Sequence, residues 1–225
     1  MTSPELDNPA WHSLTGPHAT LAEGRPTAAR YPADVCPFVG LSDATAKGPW
    51  DDLGDLIEPE GTAAVIGLES APPGWDVRWQ IDGFQMVGDR FPGAPDVEAV
   101  GLGPSDVPEM LDLVERTRPG PFLARTVIMG TYLGIRREGK LVAMAGERLH
   151  PPGWTEISAV CTDSNCRGQG LATRLVGAIA AGIRGRGEVP FLHVAGTNTG
   201  AIRLYETLGF HIRRATTFSV VSRSG

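Results

Sequence analysis

A glycine-rich turn between a strand-like run and a helix-like run constrains this chain more than any other feature. The turn reads Arg167-Gly168-Gln169-Gly170-Leu171-Ala172-Thr173. Residues 156–162, before the turn, alternate in character and contain β-branched side chains, whereas apolar side chains recur every three to four positions from Leu171 onward. Backbone N–H groups at such a helix start lie at the positive end of the helix dipole, where they favour a phosphorylated ligand. We therefore expect the functional site at this turn.

Two common phosphate-binding motifs do not account for the turn. A Walker-type P-loop needs Gly-x-x-x-x-Gly-Lys-Ser/Thr, which is absent from the sequence. The Rossmann pattern needs a third glycine where Thr173 stands, and an acidic residue after the next predicted strand, Val189–Val194. Glu188 precedes that strand. A Gly-x-Gly by itself also fits a tight turn that binds nothing.

A second segment makes the first more specific. Residues 198–210 predict a short helix with Ala201, Leu204, Tyr205 and Leu208 on one face, a capping residue at Asn198 and a stop at Gly209. In this order the two segments resemble the GNAT superfamily of N-acyltransferases. Arg167-x-x-Gly170-x-Ala172 is similar to that family's pyrophosphate-binding motif, and the Asn198 to Phe210 segment is similar to its second cofactor motif.

The remaining pattern agrees with the fold that the resemblance implies. A helix is predicted over Asp106–Arg118, strands over Thr131–Arg136, over Lys140–Leu149 and from Trp154, and a last strand over Ala215–Ser222. A helix after the turn is predicted to end at Gly185. The expected class is α+β, with a mixed, mainly antiparallel sheet flanked by helices.

The domain division is predicted from where the motifs lie. Residues 97–225 are expected to form the GNAT acyl-CoA-binding catalytic domain, and residues 1–90 an N-terminal α/β region. That region offers strand-like pieces at 19–22 and 62–68 and a helix candidate at 49–58. Its Pro72-Pro73-Gly74-Trp75 recurs 79 residues later as Pro151-Pro152-Gly153-Trp154, each after a similar apolar run. The N-terminal region is therefore either a degenerate copy of the same fold or a chance match.

The composition of the chain argues against some classes of binding partner. A net charge of −6 and a pI near 5.4 argue against nucleic-acid binding, which needs a basic face, and suit a cationic amine. The N-terminus lacks a signal-peptide pattern and no apolar run approaches membrane-spanning length, so a cytoplasmic protein without a membrane partner is expected. Three cysteines without a metal-ligand spacing predict neither a disulfide framework nor a metal site.

The resemblance implies acetyl-CoA, or another acyl-CoA, as co-substrate. Its pyrophosphate would lie over the N–H groups of residues 168–173, with side-chain contacts from Arg167 and Thr173. The pantetheine arm would run along the strand before the turn, where a backbone N–H, best placed at Val160, would stabilise an oxyanion. Asn198 would add a polar contact besides its cap. The cofactor-binding residues so implied are Val160, Cys161, Thr162, Arg167, Gly168, Gln169, Gly170, Leu171, Ala172, Thr173 and Asn198.

Two side chains are the catalytic candidates. Tyr205 matches the family's tyrosine, whose phenol can protonate a departing thiolate, although its spacing alone favours a core residue. Glu156 is the candidate base for the acceptor amine if partial desolvation raises its pKa; the alternative is a surface carboxylate. Glu147 and His193 are second choices. Ser164 and Cys166 stand where family members often have proline and an aromatic residue, which weakens the expectation of pyrophosphate contacts before Arg167.

The function these residues predict is N-acetyl transfer from acetyl-CoA to a primary amine by direct attack in a ternary complex. The acceptor would be a small-molecule or peptide amine. Because members of the family commonly dimerise, the resemblance also implies a homodimer. One alternative is an amino-acid N-acyltransferase of the glycine type that uses longer acyl-CoA. Another is a non-catalytic acyl-CoA sensor, which would need neither Tyr205 nor a base.

Overall fold

A computed structural model of the protein describes residues 3–225. Its helices are α1 (Pro4–Asp7), α2 (Pro9–Leu14), α3 (Lys47–Leu56), α4 (Val107–Thr117), α5 (Leu171–Gly185) and α6 (Thr199–Leu208). Its strands are β1 (Glu23–Gly24), β2 (Ala28–Arg30), β3 (Val39–Leu41), β4 (Thr62–Ile66), β5 (Trp75–Val87), β6 (Val100–Leu102), β7 (Tyr132–Arg137), β8 (Lys140–Glu147), β9 (Trp154–Thr162), β10 (Val189–Ala195) and β11 (His211–Arg223).

One large sheet organises the molecule. It has eight strands in the order β4-β11-β5-β10-β9-β8-β7-β6, and β1, β2 and β3 form a separate small sheet. Every neighbouring pair in the large sheet is antiparallel except β9 and β10, which are parallel. The expected α+β class with a mixed, mainly antiparallel sheet is therefore confirmed.

The two faces of this sheet are covered by different parts of the chain. On one face α5 buries a stripe that includes Leu175, Ile179 and Ile183 against inward side chains such as Met86 and Leu192. The other face is covered by α4 over β8 and β9. Beyond α4, the N-terminal segment packs Leu6, Leu14, Tyr31 and Phe38 against Val87 and Phe191. Burial of each large aliphatic side chain contributes about 1.5–3 kcal/mol, so both layers hold the sheet.

The strongly periodic segments appear where the sequence placed them. α4, α5, α6, β7, β8, β9 and β10 lie within one or two residues of their predicted spans, α3 begins two residues early, and β11 begins four residues before its prediction. The predicted strand at 19–22 is wrong, because Ala19–Leu21 forms a 3₁₀ turn after α2. The 13-residue β5 was not predicted at all. Residues 75–82 do alternate between apolar and polar side chains, which is a strand pattern, and in the structure they are mostly exposed or half-exposed.

The N-terminal region contributes strands to the large sheet. β5 lies between β10 and β11, and β4 forms the edge beyond β11. The two Pro-Pro-Gly-Trp turns both join strands, but β8 pairs directly with β9, whereas β11 separates β4 from β5. The division near residue 90 and the duplication stay predictions. What the topology adds is that strands from both sides of that boundary complete one sheet.

Candidate active site

A cleft of about 900 Å³ opens where β9 and β10 separate. The two parallel strands are paired from Val189↔Trp154 to Leu192↔Ile157, and their continuations toward Thr162 and Ala195 are not paired with each other. The gap exposes the edges of both strands to the cleft. We call the part of the cleft beside residues 166–173 the turn end. The part beside Phe38, Trp79, Arg148 and His193 is the network end.

The glycine turn has the geometry of an open N–H cradle. Gly168 and Gly170 have φ values of +77° and +72°, which side chains with a Cβ rarely adopt. Gly170 precedes the first residue of α5, and no side chain caps that helix start. The first N–H groups of a helix have no intrahelical partner. Since nothing lies within 4 Å of a Cβ built at either glycine, the space above the turn is open.

The strand that leads into the turn carries a bulge at the separation point. Ser158 pairs with Gly146 and Cys161 with Met144, so Ala159 and Val160 have no partner in the β8 register. Ala159 has a left-handed φ of +52°. A bulge of this kind redirects the backbone groups of its strand. Thr162 adds a buried hydroxyl that has no hydrogen-bond partner among the described residues.

Most of the predicted cofactor-binding residues line this cleft, although their contacts to a ligand stay predictions. Asn198 also accepts a hydrogen bond from the Ala201 N–H at 3.1 Å, as expected of a helix cap. Gln169 does not line the cleft. The residues that do are Val160, Cys161, Thr162, Arg167, Gly168, Gly170, Leu171, Ala172, Thr173 and Asn198.

Tyr205 lies on α6 with its ring in the core and its edge on the cleft. Its residue surface is 7% exposed and its ring packs near Phe210. The hydroxyl has no hydrogen-bond partner among the described side chains and backbone groups. Burial raises the pKa of Tyr205 to about 12. The phenol is therefore neutral at physiological pH, and Tyr205 both packs in the core and lines the cleft, while its role as proton donor stays a prediction.

Glu156 differs from the expected base. It is fully buried and does not line the cleft. Arg148 donates to both carboxylate oxygens, at 2.8 and 2.6 Å, and the Leu149 N–H donates at 3.3 Å. Burial alone would raise the pKa of this carboxyl, but Arg148, and after it His193, lowers the pKa well below its usual range. The expected rise in pKa is thus wrong, because a buried guanidinium neutralises the charge that burial would otherwise penalise.

His193 connects Glu156 to the cleft. Its Nδ1 lies 2.7 Å from Glu156 Oε1, and a carboxylate can only accept, so the ring proton is on Nδ1. The lone pair on Nε2 faces the Gln85 amide nitrogen at 3.2 Å. Gln85 is oriented by Arg213, which donates to its Oε1 at 2.8 Å. His193 lines the cleft, with its side chain only 1% exposed, whereas Glu156 does not line it.

Sequence reasoning missed the side chains that complete the network end. Phe38 lies under the Arg148 guanidinium, 4.8 Å from its ring centroid. Trp79 and Ile81 come from β5, opposite Val220 and Phe218 of β11. All of these line the cleft. No local motif could have identified them, because they come from separate stretches of the chain and meet only through long-range strand pairing.

Two further findings bear on the chemistry. Within residues 3–225 no group of three or more metal-ligating side chains comes together. No helix in the same range has the length and apolar content needed to cross a bilayer. The three cysteines are free, and burial raises the pKa of Cys161, which borders the cleft, to about 11.

Comparisons with known proteins agree with this architecture. Residues 132–219 match the family model described as FR47-like protein. A solved structure of a GNAT-family protein from Novosphingobium aromaticivorans is 39% identical, with each chain covered completely and a TM-score of 0.90. A GCN5-related N-acetyltransferase from Kribbella flavida is 16% identical, with 96% of each chain covered and a TM-score of 0.61, which supports the fold alone. No curated protein sequence matches.

The first of these structures shares sequence and fold with this chain along its whole length. The alignment covers both chains completely, so it includes the N-terminal strands as well as the glycine turn and α6. The match to the FR47-like model lies within the strands and helices that surround the cleft. The chain belongs to the GNAT family.

Proposed function

We propose that this protein is an N-acetyltransferase that moves the acetyl group of acetyl-CoA to a primary amine. The observation that carries the proposal is the cleft itself, which joins an open N–H cradle to a separated pair of parallel strands and to a buried proton-handling pair. Each part corresponds to one requirement of thioester aminolysis: holding the donor, stabilising charge at the carbonyl, and moving two protons.

The turn end fits the diphosphate of the donor. Residues 168–173 offer backbone N–H groups at the start of a 15-residue helix, and the guanidinium of Arg167 borders the same space. Helix N-termini favour anions through both dipole and hydrogen bonds. The open space above Gly168 and Gly170 would be reduced by any Cβ there. The donor would be anchored at this turn and directed toward the strand gap.

The gap between β9 and β10 would position the thioester. The pantetheine amides can pair with the free edge of β9 near Val160, Cys161 and Thr162, as an added strand does. The bulge at Ala159 leaves the Val160 N–H without a partner in the β8 register. An N–H aimed at the carbonyl oxygen would stabilise the negative charge that develops there as the amine attacks.

Proton transfer would use two groups. The Tyr205 hydroxyl, held neutral by burial, would donate to the departing thiolate. On the acceptor side we assign the proton to His193 Nε2, with Glu156 accepting from Nδ1 and stabilising the imidazolium that forms. Glu156 thereby acts as a positioning residue through His193. For this step the Gln85 amide must release Nε2, and its 3.2 Å distance is at the long end for a hydrogen bond.

Direct attack is favoured over a covalent acyl-enzyme. Two cysteines line the cleft, Cys161 on β9 and Cys166 just before the glycine turn, and burial holds the Cys161 thiol protonated with a pKa of about 11. A thiol in that state is a poor nucleophile. Initial-rate kinetics should therefore give intersecting double-reciprocal lines, and Cys161→Ala should retain turnover. Parallel lines together with loss of turnover in Cys161→Ala would overturn direct attack.

The decisive test is thiol release from acetyl-CoA in the presence of primary amines, with mass spectrometry of the N-acetyl product. The proposal predicts amine-dependent release. Tight binding of acetyl-CoA without release on any amine would contradict transfer and indicate the sensor alternative. Faster release from octanoyl-CoA than from acetyl-CoA would indicate the longer-chain alternative.

A further inference from the structure

The network end of the cleft has an apolar wall that the proposed reaction leaves unexplained. Six side chains form it, from the loop before β3 and from three adjacent strands: Phe38, Ala64, Trp79, Ile81, Phe218 and Val220. Strand pairing aligns them, because Ala64 and Trp79 both lie opposite Val220, and Ile81 lies opposite Phe218. Directly paired residues point to the same face of a sheet, so the wall is one continuous surface.

The wall opens to solvent at Trp79. Its residue surface is 52% exposed, unlike that of Phe38, which is 4% exposed. A substrate that must enter and a product that must leave in each turnover need such an opening to solvent. Large exposed aromatic side chains at the rim of a pocket commonly bind ligands, since they offer apolar contact area at low entropic cost.

The charges around the cleft exclude one class of acceptor. The charged side chains that line it are Arg118, Arg148 and Arg167, and no aspartate or glutamate among the described residues joins them. The charge of Arg148 is balanced by the buried Glu156. An acceptor with a second ammonium group would therefore find no carboxylate in the cleft lining to pair with. The acidic residues behind the net charge of −6 lie outside the cleft lining.

We infer that the acceptor is a monoamine with an apolar or aromatic body, which Trp79 and its neighbours in the apolar wall select. The inference rests on the proposed acetyl transfer and adds the substrate class. The apolar body would lie on the wall, and its amino group would reach His193 on the same face of the sheet. In the transfer, the amine nitrogen forms a bond to the acetyl carbonyl carbon, the carbon–sulfur bond of acetyl-CoA breaks, the amine proton goes to His193 and the thiolate takes a proton from Tyr205.

The test compares 2-phenylethylamine and hexylamine with glycine and spermidine, using acetyl-CoA as donor. We expect kcat/KM for 2-phenylethylamine to exceed that for spermidine by at least about tenfold. In Trp79→Ala the KM for 2-phenylethylamine should rise about tenfold, the size expected for losing one aromatic contact, with an unchanged KM for acetyl-CoA. The matched control is Val77→Ala, two residues earlier on β5 and 40% exposed but not part of the cleft lining.

The outcomes separate this inference from the proposed function. Preference for spermidine or glycine, or an unchanged amine KM in Trp79→Ala, would overturn the inference and leave acetyl transfer standing. A changed KM for octanoyl-CoA in Trp79→Ala, with the amine KM unaltered, would assign the wall to an acyl chain and also overturn it. Bound acetyl-CoA without acetylation of any of the four amines would contradict the proposed function itself.

Discussion

The two ends of the cleft are built in opposite ways. The turn end is almost contiguous in sequence: one bulged strand, one glycine turn and the first residues of α5 supply nearly all of it. The network end draws Phe38, Trp79, Arg148, His193 and Phe218 from five separate stretches, which meet only because β5 lies between β10 and β11. The first end depends on local backbone geometry and the second on long-range packing.

The two ends also differ in whether their charged groups are already paired. At the turn end, backbone N–H groups and Arg167 face open space, ready for an anion. At the network end, the charges of Arg148 and Glu156 are already paired and buried. Substitutions at the network end should therefore affect stability as well as activity, whereas those at the turn end should affect donor binding alone.

The largest effect is expected from Glu156→Gln. This change leaves the Arg148 guanidinium buried without its counter-charge, and breaking one partner of such a pair costs about 3–5 kcal/mol. Urea denaturation should show that loss of stability. Initial-rate assays should show a large fall in kcat. The matched control is Glu98→Gln, whose carboxylate pairs with Arg137 and Arg174 at the surface and whose loss should cost far less stability. Equal costs at the two positions would contradict the claim that the buried charge pair makes the network end important for stability.

Tyr205→Phe should reduce kcat by about 10²-fold, because the departing thiolate would lose its proton donor. Tyr132→Phe is the control: Tyr132 is also buried, its hydroxyl has no partner among the described residues, and it lies outside the cleft lining. Initial rates at saturating acetyl-CoA measure both. Full turnover in Tyr205→Phe would leave that residue a packing role only.

Lowering the pH should reduce the free energy of unfolding through His18, which lies in the N-terminal layer that supports the network end. Burial, and after it the charge of His150, lowers the pKa of His18 to about 4 from 6.5. Between these values the unfolded chain binds the proton and the folded chain does not, so stability falls as pH falls. Unfolding free energy should drop by about 2 kcal/mol between pH 7 and pH 5 from this group. The drop should shrink in His18→Gln; an identical pH profile would contradict the assignment.

The smallest effect, and the most selective, is expected from Gly170→Val. A β-branched side chain is strained at φ +72° and would occupy the space above the turn, so the KM for acetyl-CoA should rise at least about tenfold. Gly187→Val is the control, since Gly187 has a φ of +79°, open space around it and no place in the cleft lining. Similar KM values in the two variants would show that the turn does not hold the donor.

These contrasts explain what could be predicted from the sequence. The helices, most of the C-terminal strands and the glycine turn follow from periodicity, glycine positions and caps, all of which are local. The 3₁₀ turn at Ala19–Leu21 was mistaken for a strand, because four residues carry no decisive period. β5 was missed although its residues 75–82 alternate between apolar and polar side chains; in the structure this half of β5 lies beyond the end of β10 and is mostly exposed.

Within the site, Glu156 likewise shows that features which depend on long-range contacts cannot be predicted from local sequence. Its position on the strand before the turn is local and was predicted. Its pKa depends on Arg148, eight residues earlier across a turn, and on His193, 37 residues later on β10. Only the register between β9 and β10 brings Glu156 opposite Phe191 and thus near His193. A carboxylate's position can be predicted from sequence, but its ionisation depends on neighbours that only folding supplies.

The central claim is that backbone amides of residues 168–173 hold the diphosphate of acetyl-CoA. Calorimetric titration of the folded protein with CoA and with pantetheine, which lacks the diphosphate, tests it most directly. The account predicts one CoA site per chain and binding at least about 100-fold weaker for pantetheine, roughly 2.7 kcal/mol. No heat with CoA, or equal affinity for the two ligands, would contradict it.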